Sequence, residues 1–171
     1  MGVKDIHALT KVKVNKSLVN SLFVLILFCI DRFSKIYVIE LAEKTDISEV
    51  YLTSFLNSYL VWNTGIAFGL FSLSSELIYN LFTILIVLIN LVIIYLITIT
   101  KDFRKYFFLL ILGGSFGNLF DRLYYGSVPD FLDFHIGNFH WFIFNIADIF
   151  ITVGVICLIL AELLYKKEVN D

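Results

Sequence analysis

The sequence predicts a mainly α membrane protein, with four transmembrane helices and a short sheet at the membrane surface, in one domain over residues 1–171. Three observations carry that reading. Hydrophobic residues make up 59% of the chain and charged residues only 16%, whereas soluble domains are roughly half apolar and about a quarter charged. The apolar residues fall into four runs, at about 18–41, 77–100, 106–120 and 141–165; three reach the about 20 residues that cross a bilayer. Finally, nine of the thirteen lysines and arginines flank one side of those runs.

The first 16 residues, with Lys4, Lys11, Lys13 and Lys16, form a polar cytosolic tail. A signal peptide is the competing reading of the run after them. That run leads into Asp31, Arg32 and Lys35 instead of a small-residue cleavage site, so a retained helix is expected. Asp31 and Lys35 are one turn apart in the favourable acid-first order, which predicts an ion pair with Lys35 as a snorkelling anchor. Cys29 and Cys157 lie inside apolar runs with no CxxC spacing and read as small packing residues.

Between the first two spans, YLTSFLNSYLVWNTGIAFGLF is β-branched and aromatic with a partial period of two, broken at NTGIAFG. A hairpin or short sheet on the membrane surface is expected. Asn63 before Gly65 is ordinary turn chemistry.

The third run is about 15 residues, roughly 22 Å as a helix, so it must lean on its neighbours or on snorkelling by Lys105 and Arg122. It ends in GGSFGNLFDR. Gly113 and Gly117 form a small-xxx-small pair for close helix packing. Asn118 and Arg122, one turn apart, point at one cavity, with Asp121 as an ion-pair or capping partner.

The segment GSVPDFLDFHIGNFHWF reads as a loop and holds the only proline, directly before Asp130. Proline stiffens the chain there. His135 and His140 lack a metal-binding spacing of the HExxH kind and read as interfacial loop residues, so no metal or other cofactor is expected. The last span opens with FNIAD. Asn145 and Asp148 share a helix face, Ala147 leaves room for close approach, and Asp148 lies about five residues, roughly 8 Å, below the start of the span.

Basic residues gather on the cytoplasmic side of membrane proteins, so both termini are expected in the cytosol and the segments 42–76 and 123–140 outside. A net charge of −2 gives no basic field for nucleic acid.

Carboxylates at membrane depth are costly and mark functional sites. Two of them, Asp130 and Asp148, meeting at a shallow wet site predict an aspartyl hydrolase: close like charges share one proton, the ionised member activates water and the protonated one donates. The alternative is a proton-coupled small transporter or channel subunit, with Asp31, Asp121 and Asp148 as a relay. Against it, the polar residues gather at one membrane face and no span is broken at its midplane.

The blocks DRFSK, NTGIAFG, GGSFGNLFDR, GSVPDF and FNIAD, in this order from about Asp31 to Cys157, resemble the bacterial lipoprotein signal peptidases, also called signal peptidase II or prolipoprotein signal peptidase. The resemblance implies an aspartic endopeptidase that removes the signal peptide from lipid-modified prolipoproteins, cutting before the diacylglyceryl cysteine. It implies a catalytic dyad of Asp130 and Asp148, with Asn63, Asn118, Arg122 and Asn145 as substrate-binding or supporting residues. Asp31, Lys35, Gly65, Ala67, Gly113, Gly117 and Asp121 take structural roles. The sheet becomes an extracytoplasmic β cradle. The partners implied are diacylglyceryl-modified prolipoproteins and membrane lipid, for a monomer in the bacterial cytoplasmic membrane with its site near the extracytoplasmic face. Two departures are a longer tail before Lys16 and the absence of a proline before FN in WFIFNIAD.

Overall fold

Helix α1 (Lys16–Lys44) turns its central charges inward and its apolar side chains outward. In the computed structural model, which describes residues 15–44, 50–65 and 76–170, Asp31, Arg32 and Lys35 are buried while Leu18, Leu22, Leu25 and Phe33 are exposed. Helix α2 (Glu76–Ile99) has the same inversion: it buries Thr83, Asn90 and Ile93 and exposes Leu81, Ile84, Leu88 and Leu91. Apolar surface on this scale marks contact with something other than water. Among the described residues, α2 and the 146–164 part of α4 (Ile146–Asn170) are long and apolar enough to cross a membrane. In α1 and α3 (Arg104–Tyr125) the apolar runs are diluted by Asp31, Arg32 and Lys35 and by Asp121 and Arg122.

Helix α3 is the hub and packs against α1, α2 and α4. Its glycines allow this. A Cβ on Gly113 would lie 2.7 Å from Leu27 Cβ, one on Gly114 would strike the Ala147 carbonyl oxygen, and one on Gly117 would strike the Asp31 carboxylate. Gly113 and Gly117 thus pack as expected; Gly114, not singled out in the sequence, is equally constrained. The apolar core beside them joins Val24, Ile93, Leu109, Ile111 and Leu112.

At 22 residues, roughly 33 Å, α3 outruns the expected 106–120. The apolar count stopped at Phe120, but the helix continues because Asp121 and Arg122 turn inward, both buried. Arg122 is therefore not a snorkelling anchor, and neither is Lys35, whose side chain has no exposed surface. The helix ends at Gly126, left-handed at φ 70, a conformation glycine adopts without strain.

Strands β1 (Val50–Thr53), β2 (Leu56–Asn63), β3 (Val128–Ile136) and β4 (Phe139–Phe144) form one antiparallel sheet in the order β1-β2-β3-β4. The β1–β2 hairpin is the expected one. The second hairpin replaces the expected loop, so His135 and His140 are strand residues, paired across β3 and β4. Gly137, at φ 59, makes the turn between them. Because β4 takes up Phe139–Phe144, α4 starts at Ile146 and not near Trp141. Asp148 is then its third residue, in the first turn.

Candidate active site

Asp130 and Asp148 come from different elements, β3 and α4, to line one cavity. Asp130 sits in β3 beside β2, where Asn63 pairs with Val128. That register makes Asn63 the diagonal neighbour of Asp130, within side-chain reach. Asn63 Nδ2 donates to Asp130 Oδ2 at 2.8 Å, while its own Oδ1 accepts from the Gly65 N–H at 2.8 Å and so fixes the amide.

Asp148 is held by the start of α4. Asn145 Oδ1 accepts from the Asp148 N–H at 3.1 Å, and the Asn145 N–H donates to Asp148 Oδ2 at 3.1 Å. This is a capping box with Asn at the cap and Asp three residues on. Asn145 Nδ2 is left to donate to Asp130 Oδ1 at 2.6 Å. One fully buried asparagine therefore bonds to both carboxylates.

The third supporting residue comes from α3. Asn118 Nδ2 donates to Asp148 Oδ1 at 2.8 Å, and its Oδ1 accepts from Lys35 Nζ at 2.9 Å. An ammonium has only donors, so Lys35 determines which end of the Asn118 amide faces Asp148. Its other two protons go to Asp31 Oδ2 at 2.8 Å and Asp121 Oδ2 at 2.6 Å. Arg32 bonds to the other oxygen of Asp121 and lies 4.7 Å over the Phe120 ring. Asp31 Oδ1 accepts the Ala147 N–H at 3.0 Å and ties α1 to the first turn of α4. Two acids and two bases balance in this buried cluster, as such charges require. Spacing foretold the Asp31–Lys35 pair; the role of Arg32 had no local signal.

Every one of the four carboxylate oxygens accepts an N–H, yet the pair stays shielded from bulk water: Asp130 is 3% and Asp148 9% exposed. Burial pushes the Asp130 carboxyl up to about 7, with the negative Asp148 adding to the effect and the Asn63 and Asn145 amides opposing it. Near neutral pH such a pair holds one proton.

Two cavities meet at Asn63 and Asp130. One, of about 350 Å³, is bordered by Asp148, Asn118 and Arg122 and by the apolar Phe82, Leu85, Ile89 and Ile151. The other, of about 390 Å³, runs along the sheet past Thr64, Asp133, His140 and Trp141. Asn118 and Arg122 share a cavity as their spacing predicts. Arg122 Nη2 donates to the Gly65 carbonyl at 2.5 Å and its guanidinium lies over Tyr79, while Nε and Nη1 are buried without a partner among the described residues. Ala67 lies outside the described residues.

A helical core carrying a small sheet, with two buried carboxylates at one cavity, is an arrangement that suits a membrane aspartic protease. Residues 23–164 match the family described as Signal peptidase (SPase) II, and the chain belongs to that family. It is 48% identical over 164 residues to the lipoprotein signal peptidase of Pelagibacter ubique, covering 95% of this chain and 99% of the relative. It is 48% identical over 125 residues to that of Francisella tularensis subsp. novicida, covering 70% of this chain and 76% of the relative. A solved bacterial membrane enzyme superposes with a TM-score of 0.73 at 30% identity, over 90% of this chain and 92% of that one. Neither family nor fold supports the transporter alternative.

Proposed function

We propose that Asp130 and Asp148 are the catalytic dyad of a prolipoprotein signal peptidase that cuts before a diacylglyceryl-modified cysteine. The observation that carries this is the Asn145 bridge, which bonds to both carboxylates where the two cavities meet. In this reading Asp148 acts as the base. It takes a proton from a water whose oxygen adds to the scissile carbonyl carbon. Asp130, protonated near neutral pH, donates to the carbonyl oxygen. Collapse of the tetrahedral intermediate breaks the C–N bond: one hydroxyl of the gem-diol returns its proton to Asp130 as the carbonyl re-forms, and the proton on Asp148 passes to the leaving amine. The dyad ends the cycle with one proton, as it began.

Asn63, Asn118 and Asn145 orient the carboxylates, and the two unpartnered nitrogens of Arg122 hold substrate carbonyls. The apolar cavity between α2 and α4 receives the signal peptide near the cleavage point, and the acyl chains stay in lipid. All four helices cross the cytoplasmic membrane, with both termini cytosolic and the sheet outside as a cradle. One copy supplies every residue of the site, which fits a monomer.

Each CH₂ of an acyl chain adds about 0.8 kcal/mol to membrane anchoring, so the lipid holds the substrate at the bilayer where the site lies. The test is cleavage of matched lipidated and unmodified precursors by detergent-purified protein, with and without chelator. Cleavage of the lipidated precursor alone, persisting in chelator, is expected. Equal turnover of both, or no turnover once metal is removed, contradicts the reading.

A further inference from the structure

We propose that Asp133, His135 and His140 form a binding site for a divalent transition-metal ion of the zinc class at the end of the β3–β4 hairpin. Asp133 and His135 are two apart on β3 and so project from one face of the sheet. His140 stands across from His135 on β4, just past the shift in register between Phe134 and His135. The shift carries His140 toward Asp133 as well: His140 Nδ1 lies 2.6 Å from Asp133 Oδ2, and the two imidazole rings are 5.3 Å apart. One ligand atom from each of the three falls within 4.8 Å of the others.

Two buried atoms in this group have no partner among the described residues. They are Asp133 Oδ1 and His135 Nδ1, in residues 4% and 8% exposed. Leaving such atoms unsatisfied is costly, so a ligand that meets both is favoured at this place. Two imidazole nitrogens and one carboxylate oxygen suit zinc and its neighbours, whereas calcium and magnesium take all-oxygen sets. With metal–ligand bonds of about 2.0–2.2 Å, tetrahedral ligand atoms stand roughly 3.3–3.6 Å apart. His140 Nδ1 and Asp133 Oδ2 must open from 2.6 Å while the wider separations, up to 4.8 Å, close, and the His140 side chain, 56% exposed, has room to move for both.

Three protein ligands leave a fourth position open. Asp133 and His140 border the same cavity as Asp130 and Asn63, so the ion faces the space along the cradle. There it pins β4 to β3 across the interrupted ladder. Its role is to stiffen one wall of that cavity, and the peptide-bond chemistry remains with the aspartates. Binding of the ion does not depend on the dyad assignment.

The test uses the full chain without a histidine tag, purified in detergent, stripped with chelator and dialysed. Zn²⁺ is titrated by calorimetry and Co²⁺ by its visible absorption. One ion per chain is expected, with a rise in unfolding temperature on adding Zn²⁺. His140→Ala, at an exposed side chain, should leave folding intact and weaken Zn²⁺ by more than the roughly tenfold that even an outer-shell change costs. His135→Ala with His140→Ala should abolish both signals. Absence of saturable Zn²⁺ and Co²⁺ binding in the parent chain, or undiminished binding in the double variant, overturns the proposal; cleavage activity is not the readout.

Discussion

Asn145 and Asp148 each hold the other's backbone N–H through a side-chain oxygen, closing a box at the N-terminus of α4. The same asparagine donates to Asp130, so the start of a helix and the geometry of the carboxylate pair are one construction. Asn145→Ala removes the cap and the bridge together. It should lower turnover about a hundredfold, the scale of losing one preorganised donor, and stability by about 1 kcal/mol. Single-turnover rates and thermal unfolding separate the two effects; unchanged turnover contradicts the bridge.

The buried cluster behaves differently. Lys35 satisfies Asp31, Asn118 and Asp121 at once, and removing one partner of a buried pair costs about 3–5 kcal/mol. Lys35→Met and Asp121→Asn should therefore appear first as loss of yield and unfolding temperature. Lys35→Arg should not rescue, because a planar fork cannot meet three acceptors arranged around an ammonium. A well-folded but inactive Asp121→Asn would place Asp121 in the chemistry and overturn this division.

The pH profile follows from Asp130. Its carboxyl keeps a proton up to about 7, so activity should fall on the alkaline side as that proton leaves, and on the acid side as the second carboxylate takes one up. The limits belong to the pair. The Asn63 amide favours the ionised form of Asp130; without it the proton is held more tightly, and Asn63→Ala should move the alkaline limb to higher pH. A shift to lower pH contradicts the assignment of Asp130 as the proton-holding member.

Orientation is open to labelling. In a Cys29→Ala, Cys157→Ala background, an impermeant thiol reagent should reach a cysteine at Phe55, exposed at the end of the β1–β2 turn, and should not reach one at Asp102 between α2 and α3. The opposite pattern contradicts an outward-facing site.

The helices were largely legible: α1 and α2 begin and end within about three residues of their apolar runs. The second hairpin was not, because Trp141–Phe144 is as apolar as the helix it precedes and hydropathy merges the two. The available signal was Gly137–Asn138 between alternating residues, a two-residue hairpin turn. The candidate carboxylates were visible because charge is rare in such a chain. Their supports were visible only in part: Asn145–Asp148 has capping-box spacing, but the links from Lys35 to Asn118 and from Arg32 to Asp121 join positions more than 80 residues apart, and no local pattern encodes them. Likewise the Asp133, His135 and His140 group exists only through strand register.

The most direct measurement is cleavage of a lipid-modified precursor by Asp130→Asn and by Asp148→Asn, each purified in detergent beside the parent chain. An amide can neither take the proton from water nor share one with its partner. Both variants should insert and unfold near the parent temperature yet cleave no faster than background. Retained cleavage in either, with the protein folded, would contradict the two-carboxylate mechanism.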